Sequence, residues 1–176
     1  PGQASPIPLK DITPTISGGF MNTFNYKFID LSFNLSYSFG GYSYDNASYI
    51  LQDDGYSVIS NKSTEQRRRW QKPGDITDVP RLDTDGSQAN QPSSRFLMDG
   101  DYLKIRSLTV GYTLPKSWLR GTFLNNVRVF MEAENLYTFT ASNYIGFDPA
   151  GIDADGSQWW NYPQARSFLF GVTVGF

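Results

Sequence analysis

Apolar and polar residues alternate without interruption from position 29 to 39. Ile29, Leu31, Phe33, Leu35, Tyr37 and Phe39 fall on one parity, and Asp30, Ser32, Asn34, Ser36 and Ser38 on the other. Period-two alternation predicts a β-strand with one apolar and one polar face. The predicted strand covers residues 28–44. Strands of soluble sheets run to about 5–6 residues, whereas about 9–11 suffice for a tilted strand to cross a bilayer. The apolar set is therefore expected to face lipid and the polar set a wet interior.

Four more strands follow from the same signal, at 15–25, 101–114, 126–138 and 166–176. In the first, Ile16, Phe20 and Phe24 share a parity, and Gly18 and Gly19 suggest a bend or close packing. A short turn at Asn25, Tyr26 and Lys27 should join it to the next strand. Leu108, Val110, Tyr112 and Leu114 form the apolar face of the third strand, which Pro115 ends. In the fourth, Val127, Val129, Met131 and Ala133 alternate with Arg128, Phe130, Glu132 and Glu134. The last carries Phe168, Phe170, Val172, Val174 and Phe176 on one parity. Between the strands lie two long polar segments, 45–100 and 139–165. The first is expected to be largely structureless, with a short helix near 63–70.

The connections thus alternate short, long, short, long. With antiparallel pairing, both long loops fall at one end and both short turns at the other, the asymmetry of outer-membrane barrels. On this reading the second strand runs outward, and Phe176 lies at the periplasmic rim. The fold class expected is all-β: a transmembrane antiparallel β-barrel, of which these are the last five strands, with external loops 45–100 and 139–165. Five strands cannot close a barrel, and an open edge in lipid leaves backbone groups unsatisfied. The missing strands are expected from an N-terminal part of the same protein, since the sequence opens at Pro1 without an initiator Met or signal peptide.

Composition narrows the chemistry. Cysteine and histidine are both absent, which removes disulfide scaffolds, cysteine-ligated metals and the commonest general base. Fifteen basic and seventeen acidic residues leave a net charge of −2, giving no global attraction to nucleic acid. No apolar run approaches the length of a transmembrane helix.

The segments Ser94 to Arg106, Leu108 to Pro115, Glu134 to Thr140, Gly146 to Pro149 and Tyr162 to Phe176, in this order, resemble the closing strands of SusC/RagA-type TonB-dependent transporters. Ala150 and Ile145 depart from that pattern in a loop only. The resemblance implies a barrel of about 22 strands around an N-terminal plug, in the outer membrane of a Gram-negative, Bacteroidetes-like bacterium. It implies a SusD-type surface lipoprotein as lid, energy from the TonB complex, and import of oligosaccharides or peptides. It also implies that Phe168, Phe170, Val172, Val174 and Phe176 act as the C-terminal assembly signal.

Candidate ligand or lid contacts lie in the second long loop: Tyr144, Phe147, Asp148, Trp159, Trp160 and Asn161. Loop aromatics stack on sugars or anchor a partner, although packing among the loops is the commoner role. A soluble β-sandwich carbohydrate-binding module using Trp159 and Trp160 is the alternative from another class. Asp83 to Ser87 and Asp153 to Ser157 resemble the opening half of a calcium loop, but Ser94 and Gln164 occupy the twelfth positions, where an acid is needed. The expectation is therefore no cofactor, with calcium in these loops the lesser alternative. Arg67, Arg68 and Arg69 read as a solvated charge run, and Glu132 and Glu134 as pore lining rather than a glycosidase pair. No residue is assigned a catalytic role.

Overall fold

The computed structural model describes residues 10–57, 59, 61–83, 91–146, 148–153 and 155–176. Its elements in chain order are β1 (Ile16–Tyr26), β2 (Ile29–Phe39), β3 (Tyr42–Asp45), α1 (Asn46–Leu51), β4 (Leu97–Asp99), β5 (Tyr102–Thr113), β6 (Asn126–Thr140), β7 (Ser157–Gln158) and β8 (Ser167–Gly175). Five of them form one sheet in the order β1-β2-β5-β6-β8, antiparallel throughout. Both long connections consequently emerge at the same end.

The register carries the alternation of single strands across the whole sheet. Phe24, Leu31, Val110, Met131 and Phe170 are successive cross-strand partners and form one apolar row. Thr23, Ser32, Thr109, Glu132 and Leu169 form a row of the opposite face. Phe20, Phe24, Phe168, Phe170 and Val172 stay exposed. A β-sandwich would bury such a face against a second sheet, so the carbohydrate-binding sandwich is not the architecture found.

One residue breaks the alternation. Leu103 and Ile105 share the apolar face with Leu108, Val110 and Tyr112, although the parity changes between them. The register shifts at this point on both sides of β5, so Arg106 is the extra residue of a β-bulge. Without the bulge Arg106 would sit among the apolar residues. Instead its Nε donates to Ser36 Oγ at 2.9 Å on the polar face. Asn135, opposite the bulge in β6, has φ 50, a conformation that asparagine tolerates better than most residues.

The turn between β1 and β2 is tighter than expected. Tyr26 pairs with Ile29, leaving Lys27 and Phe28 as a two-residue turn with Lys27 at φ 54.

The strand predicted over 28–44 divides, because Gly40 turns the chain at φ 83, with Thr15 packed where a Cβ would stand. Beyond it β3 forms the centre of a small sheet, antiparallel to β4 and parallel to β7. The segment 45–100 is thus partly ordered. Asp45 caps α1 by accepting from Ser48 N at 2.9 Å, and a 3-10 turn at Thr64–Arg68 stands where the short helix was expected. Val79, Phe96 and Met98 are the buried apolar residues of this cap. Phe96 meets the rings of Tyr44 and Tyr49 edge-on.

Candidate functional site

The polar face of the main sheet carries fixed charges beside glycines. Arg128 clamps Asp30 through Nε at 2.9 Å and Nη2 at 2.5 Å, reaching across Gly111, where a side chain would collide with both groups. The Arg128 guanidinium also lies 5.0 Å from the centre of the Phe130 ring, and that ring occupies the space over Gly171. Phe130 is therefore apolar on a polar face because a glycine on β8 makes room for it.

Near the long-loop end, Lys104 is only 3% exposed. Its Nζ donates to Asp148 Oδ2 at 2.6 Å. Asp148 Oδ1 accepts from Ala150 N at 3.0 Å, so this carboxylate both shapes its own loop and ties it to the wall. Lys104, Arg106, Asp148 and Asn161 line a small cavity of about 100 Å³ there.

The cap has a second, larger site. Asp54, 1% exposed and at φ 55, accepts from Gln66 Nε2 and from Arg95 Nη1, both at 2.8 Å. Arg95 reaches Gln52 Oε1 as well, at 3.2 Å, and lies over the Phe96 ring. Next to it, Lys62 stands 2.5 Å from Asp53. Burial works to raise the Asp53 carboxyl, but Lys62 and the backbone N–H groups of Ser57 and Gly55 outweigh it and hold it below the usual carboxylate range. Beside this network opens a cleft of about 420 Å³ whose walls include Asp45, Ser48, Arg68, Arg95, Asn143 and Trp160.

The expected contact residues divide between these places. Trp160, at φ 58, is in the wall of the cleft. Tyr144 is half-buried and its phenol oxygen accepts from Gln158 Nε2 at 3.0 Å. Burial pushes the phenol up to about 12. Asp148 and Asn161 belong to the smaller cavity, Trp159 is 49% exposed, and Phe147 lies outside the described residues. Asp155 Oδ1 accepts from Ser157 N, ordinary turn chemistry, whereas residues 84–87 of the other acidic motif lie outside the described residues. Arg68 pairs with Glu65 and Asp78, Arg69 donates to Gln66 O, and Arg67 is exposed. Sequence reasoning missed Asp45, Lys104 and Arg106. The parity change around Arg106 was a readable signal, while Asp45 and Lys104 are singled out only by folding.

No protein-family model matches the chain. TonB-dependent receptor P3 of Formosa agariphila is 32% identical over 94% of the chain, and TonB-dependent receptor SusC of Bacteroides thetaiotaomicron 27% identical over 90%. The chain is thus similar to SusC-type TonB-dependent transporters over nine-tenths or more of its length. The RagAB peptide importer in its closed-closed state is 28% identical and superposes with a TM-score of 0.78, covering 95% of this chain. The chain spans only 17% and 15% of the length of the two curated relatives and 18% of the RagAB chain. The five-stranded sheet is accordingly a stretch of β-barrel wall.

Proposed function

We propose that this segment forms wall and external rim of an outer-membrane transporter that imports oligosaccharides or peptides with energy from TonB. The observation that carries the reading is the continuous apolar face of five registered strands, left exposed, opposite a face bearing Asp30, Arg128, Glu132 and Arg106. Such a sheet suits lipid on one side and a wet lumen on the other. Ile29, Leu31, Phe33, Leu35, Tyr37 and Phe39 face lipid on this reading, and the aromatic strand β8 with Phe176 is presented to the outer-membrane assembly machinery. The long connections, with Tyr144, Asp148, Trp159, Trp160 and Asn161, lie outside the cell and meet substrate or a SusD-like lipoprotein lid. The likeness to SusC and to RagAB supports such a lid and a Bacteroidetes outer membrane. The segment has no enzymatic role.

The test is growth of the source bacterium on a panel of single oligosaccharides and on protein hydrolysate, with the transporter gene deleted or TonB depleted. Both strains are expected to lose growth on the same nutrient. Deletion that changes growth on none of them overturns the reading.

A further inference from the structure

We infer that the cleft in the cap is a recognition subsite for a protonated primary amine carried by the substrate. The inference rests on the importer reading and deepens it by naming a chemical class.

Charge pairing around the cleft singles out one residue. Glu65 and Asp78 are both matched by Arg68, and Arg95 by Asp54. Asp45 has no counter-ion among the described residues. It is 3% exposed, and although Oδ1 caps α1, Oδ2 is buried without a hydrogen-bond partner. A carboxylate withdrawn from water is costly until a cation or donor compensates it.

The rest of the wall suits an ammonium group better than an anion or a purely neutral sugar. Trp160 supplies the aromatic surface that attracts cations most strongly. Asn143 and Ser48 supply neutral polar contacts for the atoms that carry the amine. Both arginines are already engaged by carboxylates, so neither is available to bind an anion at full strength. An amine entering the cleft comes to lie beside Asp45 and neutralises it. The amine has two sources, a lysine side chain of a peptide or a glucosamine unit of an oligosaccharide.

The experiment is calorimetric titration of the purified full-length transporter in detergent with two probe pairs. One is a capped pentapeptide with a central lysine against its Nε-acetyl form. The other is a glucosamine trimer against the N-acetylglucosamine trimer. The amine member of at least one pair is expected to bind at least about thirtyfold more tightly than its acetylated partner, the loss that follows when one member of a buried charge pair is removed. Asp45→Asn should abolish that preference while keeping the helix cap, because asparagine caps as well as aspartate. Trp160→Ala should weaken the amine probe without affecting its acetylated partner. The pair that discriminates identifies the source. Equal binding within both pairs, or a preference that survives Asp45→Asn, overturns the inference. If nutrient uptake remains TonB-dependent in that case, the importer reading stands without the subsite; growth indifferent to TonB removes the importer reading whichever probe binds.

Discussion

At the scale of single residues, the polar face is organised by what glycine leaves open. A methyl group at Gly171 meets the Phe130 ring, which is stiff and hemmed in by Arg128. Gly171→Ala should therefore cost about 1–3 kcal/mol, as overpacking does, measured by denaturant unfolding of the full transporter in lipid. Gly111→Ala has as its nearest atoms the charged ends of the longer Asp30 and Arg128 side chains. It should cost less and register mainly as a broken ion pair. Asp53 supplies a pH dependence. Its carboxyl is held below its unfolded value, which is about 3.9. The stabilisation it brings is complete above that value and is lost as pH falls through the lower folded value. Hydrogen exchange at Gly55 and Ser57, whose amides bond Asp53, should accelerate below about pH 4, beyond the intrinsic chemistry, and Asp53→Asn should remove the extra acceleration.

At the scale of elements, a strand is only as predictable as its parity. In β2 the alternation holds from Ile29 to Phe39, and its faces were legible outright. Leu35→Arg, on the apolar face, should cost about 2–4 kcal/mol in a membrane-folding assay. Ser36 is a poor polar-face comparison, because it is 9% exposed and already accepts from Arg106, so an arginine there meets a like charge. Ser32→Arg, paired with Thr23 and Thr109, is the better comparison and should cost much less. Equal costs at Leu35 and Ser32 would overturn the face assignment. In β5 the alternation fails at Arg106, and strand length alone does not reveal the compensating bulge. The cap was still less legible. Its order comes from long-range pairs such as Arg95 with Asp54 and Lys104 with Asp148, which no local pattern announces. Trp160 in the cleft wall stands out in the sequence by its type, Asp45 only by its burial in the fold. Removing the Asp148 partner leaves Lys104 buried and uncompensated, so Asp148→Ala should release the loop from 141 to 166 to limited proteolysis. Lys104→Met with Asp148→Ala should restore much of the protection.

For the molecule as a whole, the main sheet has two outer strands, β1 and β8, each with a backbone edge unpaired among the described residues, and an apolar face that none of the described residues covers. Residues 1–176 expressed alone should enter the insoluble fraction. Co-expression with the rest of the transporter should recover them in the membrane. A soluble, cooperatively melting monomer of the isolated segment would contradict the barrel-wall architecture.

The pairing of β3 with β7 has a consequence for engineering. Two stretches of chain that the barrel wall keeps apart, one leaving β2 and one approaching β8, share backbone hydrogen bonds, and Ser43 Oγ donates to Gly156 O across the same junction. Neither stretch is an independent module. A chimera that exchanges these loops between two related barrels must graft residues 41–101 and 141–166 from the same parent, because a single-loop graft separates the two halves of one seam.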